Sequence, residues 1–234
     1  MKIKFKSHSI FRKTAIIIFL FLMVSCGSVM KVILGIPALK VYTQEEIQLH
    51  INTLPIAPNI LDVQPKKTPT EEEIKNMVYE SIMQKSYVFN KNKEPLCYEG
   101  DDSCTVNALK DLEAKKIQDV FKACEQPKDS LSPYADFNML REKFDLSENA
   151  AMGYADYVVV SFWNTDMEKD EIAQNWERFQ EFFPKEENVY FIRVWTDLNE
   201  AWGLNPDGKA RFKNRKVTGE KKTYYLSLGE LPYK

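Results

Sequence analysis

The sequence predicts a mixed α/β (or α+β) domain of three layers, a central sheet flanked by helices, with a β-hairpin at its C-terminal end. Three features lead there. Two nearly continuous apolar runs, 156–163 and 189–195, have the length and the Val, Ile, Phe, Tyr and Trp content of strands covered on both faces. Capped segments with a 3.6-residue apolar stripe lie before and between them and read as helices. The tail alternates from Lys209 to Arg215, turns near Thr218-Gly219 and returns through Thr223 to Leu228, as a hairpin does.

Each element has its own local reason. Thr43 with Glu46, Thr70 with Glu73 and Thr165 with Glu168 have the spacing of a capping box, in which the two side chains satisfy each other's backbone N–H groups. The helix after Thr70 carries the stripe Ile74, Met77, Val78 and Ile82. A short strand is expected at 59–63. Tyr87-Val88-Phe89 and Leu96-Cys97-Tyr98 flank Asn90-Lys91-Asn92-Lys93, a hairpin turn. A long helix is expected from about Thr105 to Cys124, with Val106, Leu109, Ile117, Val120 and Cys124 on one face, and another after Ser132-Pro133 with Phe137, Leu140 and Phe144. The helix after Thr165 shows Ile172, Trp176, Phe179 and Phe183 and stops at Pro184. With the two apolar runs on either side it makes a β-α-β unit, whose strands should be parallel. There is no internal repeat, and the proline-containing stretches 55–58 and 64–67 read as loops within one domain.

The 234 residues are 44% hydrophobic and 28% charged, so the chain has the means to bury a core and is not of disordered composition. A net charge of −2 gives no general attraction to nucleic acid, and none is expected as a partner. The charge is uneven at the start. Lys2, Lys4, Lys6, Arg12 and Lys13 precede an apolar run from Ala15 to Val24, which ends at Ser25-Cys26-Gly27-Ser28. A basic region, a short apolar region and small residues at a break describe a secretory signal. The break resembles the lipobox of bacterial lipoproteins, in which the cysteine becomes the acylated N-terminus, although Met23 stands where Leu is usual. The resemblance implies a signal peptide over 1–25, lipid on Cys26, a tether over 26–42 and a single domain over 43–234. The competing reading is an uncleaved anchor from Thr14 to Met30, at the lower limit for a span of ~30 Å. No acidic cluster follows Cys26. By resemblance to Bacteroidota lipoproteins this places the protein in the cell envelope, held by lipid on the periplasmic face of the outer membrane.

The run Tyr157-Val158-Val159-Val160-Ser161-Phe162-Trp163, a helix, and then Val189 to Asp197 resembles the central β-α-β of thioredoxin-like proteins. The helix with Asn175-Trp176-Glu177, Trp202 beyond the second strand, and the hairpin Val88-Phe89-Asn90-Lys91 are similar to segments of thioredoxin-like lipoproteins of Bacteroidota. The resemblance spans about Thr43 to Trp202. It implies a thioredoxin-like sheet, permuted or embellished because a hairpin and a helix precede the β-α-β. It also implies a Cys-x-x-Cys after the tryptophan, since a thiolate is stabilised at a helix N-terminus. Those positions hold Asn164, Thr165, Asp166 and Met167, none of which can attack a disulfide.

Cys97, Cys104 and Cys124 remain, in a compartment that favours disulfides. Cys124 lies on a helix stripe and is expected to be buried. Cys97 and Cys104 flank the turn-rich Glu99-Gly100-Asp101-Asp102, and a disulfide between them is expected, contributing about 2–3 kcal/mol through loop closure. The alternatives are a working redox pair or free thiols, with Cys104 the more reactive. No metal site is expected, since His50 is the one histidine beyond the leader and has no ligand partner at suitable spacing. No Gly-x-Ser-x-Gly and no phosphate-binding glycine loop occurs, so no cofactor is implied.

Other features have plain structural readings. The acids Glu71-Glu72-Glu73 and Asp166, Glu168, Asp170 and Glu171 complement helix dipoles. Asp197, at a strand's C-terminal end, stands where α/β ligands bind but reads better as a turn or cap residue. Lys209, Arg211, Lys213, Arg215 and Lys216 share one face of the tail. They suit a charged edge, or contact with lipid phosphates or an acidic partner. Trp163, Trp176, Trp195 and Trp202 fall on core positions, which argues packing over ligand or glycan binding. The missing Cys-x-x-Cys turns the functional expectation away from an enzyme, toward a redox-inactive thioredoxin-like lipoprotein that binds an envelope protein. The rival is a thiol-disulfide oxidoreductase using Cys97 and Cys104.

Overall fold

The computed structural model describes residues 38–105, 109, 112, 115–126, 130–146, 150–168, 172–217 and 223–234. Cys26 and the rest of the leader, Asp170, Glu171 and the Thr218-Gly219 turn lie outside them. The chain divides into two compact units, 38–213 with 227–234, and 1–37 with 214–226. In the second, the backbone of 214–217 and 223–226 is described, as parts of two strands.

In chain order the first unit contains β1 (Leu39–Tyr42), α1 (Gln44–Asn52), β2 (Ile60–Val63), α2 (Glu71–Ile82), β3 (Lys85–Asn90), β4 (Pro95–Tyr98) and β5 (Cys104–Thr105). Then follow α3 (Ile117–Val120), β6 (Phe121–Ala123), a 3₁₀ turn at Pro133–Ala135, α4 (Phe137–Lys143) and α5 (Ala150–Tyr154). The last part runs β7 (Tyr157–Trp163), α6 (Thr165–Glu168), α7 (Ile172–Glu181), β8 (Val189–Trp195), β9 (Leu198–Asn199), a 3₁₀ turn at Glu200–Trp202 and β10 (Lys209–Ala210). β11 (Phe212–Val217) and β12 (Thr223–Leu228) form a separate two-stranded sheet, the expected C-terminal hairpin.

The mixed α/β class is as expected. The main sheet has seven strands in the order β2-β8-β7-β3-β4-β6, with β5 added to β3. β2, β8 and β7 are parallel, and β7, β3, β4 and β6 alternate antiparallel. The two apolar runs are the two central strands, paired from Tyr157↔Val189 to Trp163↔Trp195. They are apolar on both sides because helices cover both sides. One face packs against Ile47 and Ile51 of α1 and Trp176 and Phe179 of α7. The other packs against Met77 of α2 and Phe137 and Leu140 of α4. Residues two apart share a face, so register alone sorts the sheet. Ser86, Val88, Leu96, Cys104 and Ser161 lie on the first face, and Tyr87, Phe89, Cys97, Val158 and Val160 on the second.

The capping boxes at Thr43 and Thr70 form as expected, each with reciprocal bonds to Glu46 and Glu73. Glu73 also accepts from Lys143 Nζ at 2.5 Å. That bond, followed by the Thr70 N–H, holds the Glu73 carboxyl down to about 2. The box at Thr165 does not form. Thr165 is the first helical residue, and Asn164 Oδ1 accepts from Asp166 N at 3.1 Å in the capping position.

Of the long helix expected from Thr105 to Cys124, the described part from Ile117 is helical for only four residues, α3, and 121–123 form β6 instead, which pairs with β4 from Leu96↔Ala123 to Tyr98↔Phe121. A vacant sheet edge outcompeted the helical period here, because strand pairing satisfies the same backbone groups while Phe121 enters the core. Leu39–Tyr42, the last residues of the expected tether, form β1, which lies between β10 and β9 in a three-stranded sheet.

Candidate functional site: a disulfide at the sheet edge

Cys97 lies on β4 and Cys124 directly follows β6, the neighbouring edge strand. Cys97 faces Lys122 in register, so Cys124, two residues on, is its diagonal neighbour on the same face. Their Cα atoms are 4.9 Å apart and the two sulfurs are bonded. This corrects the expected Cys97–Cys104 pair. Between those two, Tyr98 and Asp101 exchange backbone bonds of 2.8 and 2.9 Å around a two-residue turn. Glu99 and Gly100 adopt φ of 47° and 93° there, the left-handed region that such a turn requires. The chain then continues onto β3, where Cys104 faces Ser86 and projects from the opposite side of the sheet to Cys97. No rotamer brings two sulfurs together through a sheet.

Cys104 is the free thiol, 3% exposed, with its Sγ donating to Ser86 O at 3.7 Å. Burial pushes its thiol up to about 12. It therefore holds its proton and is not the reactive cysteine that its place in the sequence suggested.

The two bonded sulfurs have different surroundings. Cys97 is 3% exposed, whereas Cys124 is half-buried and lines a cavity of about 480 Å³. The cavity is bounded by the β3–β4 turn at Asn92, Lys93 and Glu94, and by Asp136 and Phe137 at the start of α4. Lys93 takes φ 64° in that turn, donates to Met152 O at 3.1 Å and stands 5.9 Å over the Phe137 ring. Cys124 is thus the more accessible residue of the pair and Cys97 the more buried.

The end of β7, where the thioredoxin resemblance implied a Cys-x-x-Cys, is a closed polar network. Asn164 and Thr165 are 1% and 6% exposed. Asn164 Nδ2 donates to Thr196 O at 3.2 Å and Thr165 N donates to Asp197 Oδ1 at 2.8 Å. Asp166 accepts from Lys40 N at 2.6 Å and from the Tyr42 hydroxyl at 2.8 Å, which ties β1 to this corner. Asp197 is buried, its Oδ2 has no partner among the described residues, and desolvation raises its carboxyl to about 7. It acts here as the loop-holding residue expected from sequence.

The remaining candidates stay structural. Trp163, Trp176, Trp195 and Trp202 are 6%, 0%, 1% and 8% exposed and pack in or beside the core. His50, in the last turn of α1, packs edge-on against Tyr42. Glu71, Glu72 and Glu73 occupy the first turn of α2. Among the described residues no group of three His, Cys, Asp or Glu could hold a metal, and no helix is long and apolar enough to cross a membrane. Of the basic tail, Lys209, Arg211 and Lys213 are exposed, and the side chains of Arg215 and Lys216 lie outside the described residues. Sequence reasoning missed Cys124 as the partner of Cys97, and also the pairing of Asp62 with Arg193, whose Nη2 donates to Asp62 Oδ2 at 2.6 Å.

No protein-family model, no curated protein and no solved structure matches this chain. The Cys97–Cys124 bond overturns the expectation of a redox-inactive domain. That expectation rested on the end of the central strand β7, whereas the bonded pair lies at the β4–β6 edge of the sheet.

Proposed function

We propose that this protein is a thiol-disulfide exchange module whose working pair is Cys97–Cys124. The observation that carries the reading is the asymmetry of the pair, one sulfur buried and the other lining a cavity. A substrate thiolate attacks Cys124 Sγ, the S–S bond breaks, and its electron pair leaves on Cys97 Sγ, which then takes a proton from water. A second substrate thiol attacks the mixed disulfide and releases Cys124. The substrate dithiol is oxidised to a disulfide and the pair is reduced to two thiols.

Two further elements complete the reading. The strand order, three parallel strands followed by an antiparallel hairpin, supports a thioredoxin-like sheet in which the hairpin β3–β4 precedes the β-α-β instead of following it. The basic-apolar-small leader supports export and lipid on Cys26, which fixes the domain to the membrane in an oxidising compartment. The partner is then an envelope protein that presents thiols.

Trapping tests this. Full-length Cys97→Ser, extracted from its envelope without reductant, leaves Cys124 as the reachable thiol. It is expected to accumulate mixed disulfides on Cys124 that reductant releases, while Cys97→Ser/Cys124→Ser accumulates none. Intact mass on the same extract should show acyl chains on Cys26. A folded Cys97→Ser protein that forms no mixed disulfide would mean that the bond is a structural staple.

A further inference from the structure

We infer that a second cavity, on the opposite face of the sheet from the disulfide, binds a small organic anion with a compact aromatic or apolar body. The cavity holds about 210 Å³. Its floor is Ser86 on β3 and Ser161 on β7, which face each other in register and are 1% and 3% exposed. Hydroxyls stand out on this face beside Val88, Val159 and Trp163, and these two lie 3.0 Å apart. One hydroxyl proton serves that bond, so the pair keeps one O–H to donate.

One more donor at the cavity lacks an acceptor among the described residues. The indole Nε1 of Trp163, which lines the cavity, is buried without a partner among the described residues. Buried donors are normally satisfied, and leaving one unsatisfied costs free energy that a bound acceptor would recover. The walls agree in sign. Arg178 and Lys85 line the cavity, and none of its described lining residues is acidic. Lys85 is partly neutralised by Glu80, 3.5 Å away, which leaves the exposed Arg178 as the cation best placed to meet a carboxylate. Phe179 and Phe182 supply the apolar side. Donors to spare, the Arg178 cation at the mouth and an aromatic wall together select a ring or short apolar chain that carries a carboxylate. The size excludes anything much larger.

Benzoate is the probe, with benzyl alcohol as its neutral match, titrated into oxidised full-length protein. The indole N–H resonance of Trp163, assigned by its loss in Trp163→Phe, is the readout. Benzoate is expected to shift it saturably, and benzyl alcohol to bind about tenfold more weakly. Arg178→Gln, a surface change that leaves the core intact, is expected to weaken benzoate by a similar factor. An unmoved indole signal, equal affinity for the alcohol, or an unchanged affinity in Arg178→Gln would each overturn the inference. The outcome does not depend on whether Cys97–Cys124 turns over.

Discussion

Asp62→Ala is expected to destabilise the domain by about 3 kcal/mol, a large share of the 5–15 kcal/mol typical of a folded domain. Asp62 on β2 receives Arg193 Nε and Nη2 at 2.7 and 2.6 Å, and Trp195 Nε1 at 2.7 Å. Arg193 is 1% exposed and stacks 4.6 Å from the Trp176 ring centre. Guanidinium does not deprotonate in proteins, so removing the carboxylate leaves a buried cation with no counter-charge. The cost sits at the lower end of the range for broken buried pairs, because the Asp62 side chain is 23% exposed and water can reach the gap. Urea unfolding followed by tryptophan fluorescence measures it. Asp62→Leu with Arg193→Met should recover much of the loss, since burying no charge at all removes the desolvation penalty. A loss under 1 kcal/mol in the single variant would show that the pair is not what fixes β2 against β8.

Asp197→Asn is expected to flatten the pH dependence of stability. The carboxyl of Asp197 is raised from 3.8 to about 7, with burial as the largest cause. A raised carboxyl binds its proton more tightly in the folded than in the unfolded chain. The domain is therefore most favoured below about pH 4, and loses stability as pH rises toward 7 and the buried group ionises. The full displacement corresponds to roughly 4 kcal/mol. Asparagine keeps an oxygen to accept from Thr165 N and cannot ionise. Its Nδ2 takes the place of the partnerless Oδ2, so the absolute stability can fall at every pH, and the slope between pH 4 and 8 is the quantity to compare. Parallel curves for the two proteins would contradict the assignment of this titration to Asp197.

These two groups also mark how far the sequence could be read. The central strands were legible because 156–163 and 189–195 are apolar at nearly every position, which is what burial on both faces demands. Helices α1 and α2 were legible from their capping boxes, since two residues three apart carry that signal without tertiary help. Of the strands of two to four residues, β2 and β4 were legible, from an apolar run and a hairpin turn, and the others were not. β1, β5, β6, β9 and β10 are too short for any period to show, and each exists because an edge was open to it. Misreading 121–123 as helix had the largest consequence, because it placed Cys124 on a helix stripe and out of reach of Cys97. Nearness in sequence then favoured Cys104, and only register reveals that Cys97 and Cys104 lie on opposite faces. Asp62 and Arg193 are 131 residues apart, and nothing local announces their pairing.

The most direct test of the proposed function is the equilibrium redox state of Cys97–Cys124. Full-length protein is held in thiol-disulfide buffers of graded potential, quenched by alkylation and scored by the mass of the Cys97 and Cys124 peptides. Half-reduction above about −250 mV, in the range of known exchange proteins, is the expected result. A bond that remains closed below about −300 mV, as structural disulfides do, would contradict a working pair and leave Cys97–Cys124 as a staple that holds β6 to the sheet.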